Sequence, residues 1–270
     1  MFQEQIFNAD GVQINFVQAS NSGQPIVLLH GAASEWQSFL PLIPIFAREF
    51  RVYAIDLRGH GKSSRVPEGY RVLDYAKDIQ CFLEQHITEP SILYGHSLGA
   101  LTAIAVAAQS PTWIRAIMLG DPPFYFHNMM TKESAEYKPF TELHHVLSTM
   151  HSAQEMNDYM VDQYPNMEPQ RRKARAETMS RVDPAVVAAI LEGRDVENFD
   201  TDILLRQITC PVLLLRGNVA LGSVLRDQDV TYMVDGLQHC EVVHMQEVGH
   251  SLPVGDALFR VKTFLKSVSF

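Results

Sequence analysis

Ser91-Ile92-Leu93-Tyr94-Gly95-His96-Ser97-Leu98-Gly99-Ala100 is the stretch whose reading decides the fold. It opens as an apolar run, the pattern of a strand buried on both faces of a parallel sheet. From Leu98 to Ala108 the chain is rich in alanine and leucine and reads as helix. Between the two lies Gly95-His96-Ser97-Leu98-Gly99, a G-x-S-x-G pattern in which a strand turns sharply into a helix. Such a turn strains the serine backbone and lifts its hydroxyl above the sheet edge. Glycine is needed at both ends, because a side chain there would collide with the neighbouring strand or helix. In this context Ser97 reads as a nucleophile, with the helix N-terminus adding a favourable field for negative charge.

The rest of the chain supplies a sheet for that turn. Phe2 to Ala19 alternates polar and apolar residues around Asp10-Gly11, a hairpin signal. Pro25 to Leu29, Arg51 to Ile55, Ile114 to Leu119, Val212 to Leu215 and Glu241 to Met245 read as further strands, and Val72 to His86 and Ala257 to Val268 as amphipathic helices. Alternating strand and helix implies a mostly parallel sheet with helices on both faces. Only 122–206 breaks the alternation. It shows helical stretches at Ala153–Gln163, Gln170–Arg181 and Pro184–Gly193. Its flexible and aromatic residues include Met129, Met130, Tyr137, Phe140, Met156, Tyr159 and Met160. The expectation is a core of 1–121 and 207–270 carrying a helical cap, 122–206, over the C-terminal sheet edge where open α/β folds bind ligands.

A serine hydroxyl needs a base to take its proton. Of eleven histidines, His250 is placed for this, in Gly249-His250-Ser251 just past the last expected strand. His96 is expected to point away from the nucleophile's face, or at most to touch the pocket. His30 and His60 flank glycine-rich loops and read as structural or pocket residues. The oxyanion formed in acyl transfer needs preorganised N–H donors. Leu98 offers one, and the loop His30-Gly31-Ala32-Ala33 offers a second, from Ala32 or alternatively Ala33. Pocket residues are expected at Ala33, His96, Met129, Met130 and Tyr137.

Taken together, His30-Gly31, Asp56-Leu57-Arg58-Gly59-His60-Gly61-Lys62-Ser63, Gly95-His96-Ser97-Leu98-Gly99 and Gly249-His250 resemble the α/β-hydrolase family in order and spacing. The resemblance covers the whole chain. It implies an eight-stranded, mostly parallel sheet with an antiparallel second strand, no cofactor, and chain order serine, acid, histidine. It also implies a structural role for Asp56. The family's commonest acid position, after the seventh strand, is occupied here by Ala220 in Arg216-Gly217-Asn218-Val219-Ala220-Leu221-Gly222. Asp121, ending the sixth strand, is the leading candidate because some members carry the acid there. Asp227 and Asp229 are the alternatives, although both suit capping the next helix.

Composition narrows the function classes. A net charge of −9 disfavours nucleic acid as a partner. Three widely spaced cysteines, Cys81, Cys210 and Cys240, suggest neither a disulfide framework nor a metal site. There is no basic, apolar leader and no 18-residue apolar run, so the expectation is a cytoplasmic protein without a membrane span. The partner expected is a small-molecule substrate. The expected activity is hydrolysis of an ester-type bond (carboxylic ester, lactone or thioester) through an acyl-enzyme. A carbon–carbon bond hydrolase or a cofactor-free haloperoxidase-like enzyme fits the same residues. A small-molecule receptor that retains the pocket is the rival from another class.

Overall fold

A computed structural model describes residues 2–124, 131–134, 137–251 and 257–269. Eight strands form one sheet: β1 (Glu4–Ala9), β2 (Val12–Ala19), β3 (Gln24–Leu29), β4 (Phe50–Ile55), β5 (Ser91–His96), β6 (Ile114–Gly120), β7 (Val212–Gly217) and β8 (Cys240–Met245), in the order β1-β2-β4-β3-β5-β6-β7-β8. β2 is antiparallel to both its neighbours, and every other pair is parallel. The hairpin turn falls at Asp10 and Gly11, both with positive φ (49° and 97°), as a two-residue hairpin loop requires.

Because side chains alternate across a strand, an apolar run must bury both faces. Val27, Leu29, Tyr53, Ile55, Leu93, Ile117, Leu119 and Leu214 pack on one side. Ile26, Leu28, Val52, Ala54, Ile92, Tyr94, Met118 and Leu213 pack on the other. Helices α1 (Val72–Phe82) and α2 (Leu98–Gln109) cover the first face. The second is covered by Trp36, Phe39, Ile43 and Phe46 from the β3–β4 connection and by the C-terminal helix Leu258–Val268 through Val261, Phe264 and Leu265. The expected helix at 72–86 continues past Phe82 as a π-type turn and closes at Thr88, whose φ is 60°. Every residue of α2 from Leu98 to Ala108 is buried. An all-round apolar helix of this kind is a core helix, and α2 lies between the sheet and the segment that follows β6.

That segment contains five helices among the described residues: α3 (Tyr137–Thr149), α4 (Ala153–Gln163), α5 (Pro169–Ser180), α6 (Pro184–Leu191) and α7 (Thr201–Gln207). α3 and α7 went unremarked in the sequence, the first because Pro139, Thr141 and two adjacent histidines blur its pattern, the second because it is short. Val146, Leu147, Met156, Met160 and Met179 join the α1–α2 side of the core. Buried Glu35 ties the segment to the β3 loop, accepting from Arg181 Nε (2.8 Å) and Nη2 (2.6 Å) and from Thr178 Oγ1 (2.9 Å). Among the described residues no helix is long and apolar enough to cross a membrane.

The β5–α2 turn is closely packed. A Cβ on Gly99 would sit 2.1 Å from the Leu29 carbonyl oxygen, and one on Gly95 2.1 Å from that of Gly99. Gly99→Ala therefore forces a backbone shift and is expected to cost about 3 kcal/mol, lowering Tm by on the order of 10 °C. Gly193→Ala, with no atom within 4 Å and a φ of 68°, is expected to cost only about 1 kcal/mol. Thermal unfolding by circular dichroism separates the two, and equal losses would contradict the close approach.

Candidate active site

Because β3, β5, β6, β7 and β8 run parallel, the loops that follow them gather at one sheet edge. Ser97 caps β5 with φ 52° and ψ −116°, a strained conformation that α2 and the sheet hold in place. Its N–H donates to Gly120 O (2.9 Å), stitching the turn to the end of β6. Asp121 follows directly, with φ 45° and no solvent exposure.

His250 lies between them. Its Nε2 is 3.0 Å from Ser97 Oγ and its Nδ1 is 2.7 Å from Asp121 Oδ2. The carboxylate fixes the tautomer: Nδ1 carries the proton and donates, leaving Nε2 to accept from the serine hydroxyl. A buried carboxylate is costly unless hydrogen-bonded, and Asp121 has further donors in Ser223 Oγ (2.6 Å) and Val224 N (3.0 Å). Ser223 was missed in the sequence. Its signal is a hydroxyl close after Ala220, in the loop that follows the seventh strand.

The alternative acids are elsewhere. Asp227 pairs with Arg216 and its side chain is 94% exposed. Asp229 accepts from Arg226 Nε and Nη2 at 2.9 Å within the first turn of the helix Asp227–Gly236. Neither reaches His250.

The neighbouring histidines act as backbone clasps. His30 Nε2 accepts from Leu57 N (3.0 Å), and Nδ1 donates to Gly31 O (2.8 Å). His60 Nε2 accepts from Ala33 N (3.2 Å), and Nδ1 donates to Arg58 O (2.9 Å). His96 Nε2 donates to His250 O (2.7 Å), its ring centroid 4.9 Å from that of His250. Two expectations change here. Ala33 is not an oxyanion donor, because His60 takes its N–H. His96 does not line the pocket, because its ring is turned to the His250 loop. Asp56, buried, accepts from Trp36 N (2.8 Å), Lys62 N (3.0 Å) and Asn15 Nδ2 (2.7 Å) and so holds these loops together.

Ala32, Ser97, Leu98 and His250 line a cavity of about 160 Å³. Leu101, Pro123, Phe140, Ile190 and Val224 make its wall apolar. Leu101 was legible in principle, one helical turn beyond Leu98 on the same face. Tyr137 is not among the lining residues; Phe140, one turn further along α3, is. Met129 and Met130 lie outside the described residues. Ala32 and Leu98 line this cavity together with Ser97.

The profile of the alpha/beta hydrolase fold matches residues 24–199, well over half of the chain. The chain belongs to the alpha/beta hydrolase family. It is 28% identical over 240 residues to a 2-(acetamidomethylene)succinate hydrolase of Mesorhizobium japonicum, covering 83% of this chain and 84% of that one. It is 25% identical over 256 residues to an N-formylmaleamate deformylase of Pseudomonas putida, covering 92% and 90%. The crystal structure of E-2-(acetamidomethylene)succinate hydrolase superposes with a TM-score of 0.77 at 22% identity, over 98% of this chain and 100% of the other. The protein is thus a hydrolase of this fold.

Burial keeps the clasping histidines of this hydrolase neutral. It pushes His60 and His96 down from 6.5 to about 4, helped at His96 by the nearby His250 charge, and pushes His30 well below 6.5. Between roughly pH 6.5 and 4 the unfolded chain therefore binds more protons than the folded one, so stability falls as pH is lowered through that window. Burial raises Asp56 from 3.8 to about 6 and also raises Asp78, which favours the folded state at low pH. Three histidines against two carboxylates leave a net loss. Tm is expected to drop between pH 7.5 and 5.0, and to drop less in His60→Gln, whose amide oxygen still accepts from Ala33. A pH-independent Tm, or an equal drop in the variant, would contradict this reading.

Proposed function

We propose that this hydrolase cleaves an ester-type bond of a small apolar acyl compound by two-step acyl transfer, with Ser97 as nucleophile, His250 as general base and Asp121 as the acid that orients it. The observation that carries the reading is the Ser97–His250–Asp121 hydrogen-bond chain at the wall of an apolar cavity. In the first step Ser97 Oγ attacks the carbonyl carbon while its proton passes to His250 Nε2. Asp121 stabilises the imidazolium, and the N–H groups of Ala32 and Leu98 receive the carbonyl oxygen as it gains charge. The carbon–oxygen bond then breaks and Nε2 hands its proton to the leaving group. In the second step water attacks the acyl-enzyme, losing a proton to Nε2, and Ser97 recovers its proton as the acid departs. The helices of 122–206 serve as the cap over this edge. The volume resembles the roughly 150 Å³ apolar cavity that holds benzene, so short or compact acyl groups suit it.

A second reading keeps the same residues on a carbon–nitrogen bond. It is favoured by two long-matching relatives whose names carry an N-acyl group, acetamido in one and N-formyl in the other. Hydrolysis of p-nitrophenyl esters from acetate to octanoate, beside p-nitroacetanilide and an N-formyl imide, separates the two. Ester turnover is expected to peak at short chains. Ser97→Ala is expected to abolish it, and Asp121→Asn to lower kcat about 10³- to 10⁴-fold at unchanged Tm. Turnover of the N-acyl compounds alone would favour the second reading. Ester turnover that survives Ser97→Ala would refute the scheme.

A further inference from the structure

The loop after β7 touches the hydrogen-bond chain of the proposed reaction from two sides. On one side Asn218 N donates to Val248 O (2.7 Å) and Asn218 Nδ2 to Gln246 O (2.9 Å). These bonds tie the loop to the segment that carries His250. The two run so close that a Cβ on Gly249 would sit 1.9 Å from Leu221 O. On the other side the loop closes on Asp121. Ser223 Oγ donates to Oδ1 (2.6 Å) and Val224 N to Oδ2 (3.0 Å), the oxygen that also accepts from His250 Nδ1 (2.7 Å). The turn between these two ends is itself fixed: Asn218 Oδ1 accepts from Ala220 N (2.9 Å), and Asn218 O from Ser223 N (3.1 Å).

We propose that Ser223 is a positioning residue whose hydroxyl locks the plane of the Asp121 carboxylate, so that Oδ2 stays in line with His250 Nδ1. This rests on the acyl-transfer reading above. The terminal torsion of aspartate is broad, so the side chain does not set its own carboxylate plane. Val224 N and His250 both bond Oδ2, and two donors on one oxygen act as a pivot. A donor on the other oxygen stops the swing, and among the described residues Ser223 is the donor to Oδ1. Asp121 has no solvent exposure and Ser223 is 5% exposed. Bulk water therefore has no access to take over the bond if the hydroxyl is removed. Hydrogen bonds to an ionised acceptor are short and strong, which suits this one to fixing a geometry.

The test compares the full-length wild type with Ser223→Ala, Ser223→Thr and His250→Ala. One readout is the rate of fluorophosphonate labelling of Ser97. The other is the proton NMR resonance of His250 Nδ1–H, which a bond to a carboxylate places far downfield and which His250→Ala identifies by its absence. In Ser223→Ala, labelling is expected to slow about tenfold, as for loss of one hydrogen bond to a charged group. The resonance is expected to move upfield or broaden. Ser223→Thr, which keeps the hydroxyl, is expected to restore both. A hydroxyl with a purely structural role would lower Tm and leave the resonance in place. That result, or unchanged labelling in Ser223→Ala, would overturn the proposal while leaving the acyl-transfer reading standing. If wild type shows no such resonance, or labels as fast without His250, the acyl-transfer reading fails and the proposal with it. Should Ser223→Ala not fold, Ser223→Cys replaces it, close to serine in size and only a weak donor. The same two changes are expected there, and their absence would overturn the proposal.

Discussion

Between Gly95 and Gly99 the chain passes from strand to helix against the carbonyl of Leu29, at a distance that leaves no room for a Cβ. This contact fixes how closely α2 lies on β3 and β5, and with it the φ of 52° at Ser97. The strain cannot relax. The helix beyond is buried on every side, and the Ser97 N–H is tied to Gly120 at the end of the next strand. The same tie places Asp121, one residue further, beside His250. Ser97 and Asp121 are thus positioned by adjacent parallel strands, which is how a rigid scaffold presents polar groups.

Around this turn, three neutral histidines hold backbone rather than substrate. His30 reaches from the β3 loop to the β4 loop, His60 reaches back from the β4 loop to Ala33, and His96 reaches from the turn at Ser97 to the carbonyl of His250. Each needs an unprotonated ring or a fixed tautomer, and burial supplies the condition by disfavouring the charged form. The His60 clasp occupies the Ala33 N–H, with Ala33 at φ 55°, while Ala32 of the same loop lines the cavity.

Much of this was legible in the sequence because it depends on local rules. Apolar runs name the strands, period-2 burial on both faces makes the sheet parallel, and the glycine spacing around Ser97 marks the turn. His250 followed from its place after the last strand. Asp121 was legible only through topology. Its local sequence does not name a partner; it reaches His250 because β6 lies beside β5. The partners of Ser223 and Asp195 depend on topology in the same way. One is brought to Asp121 across 102 positions, and the other enters the cavity through the packing of α6 against the start of α1. The misplacement of Ala33, His96 and Tyr137 has a common origin: position along a loop or helix does not say which way a side chain or N–H turns.

The central claim is that Ser97 is activated by His250. The most direct measurement is the rate and site of labelling by a fluorophosphonate, read by intact mass and peptide mapping, in wild type and His250→Ala. The account requires one adduct per chain, on Ser97, forming at least 100-fold more slowly in the variant. An adduct on another residue, or an unchanged rate without His250, would contradict it.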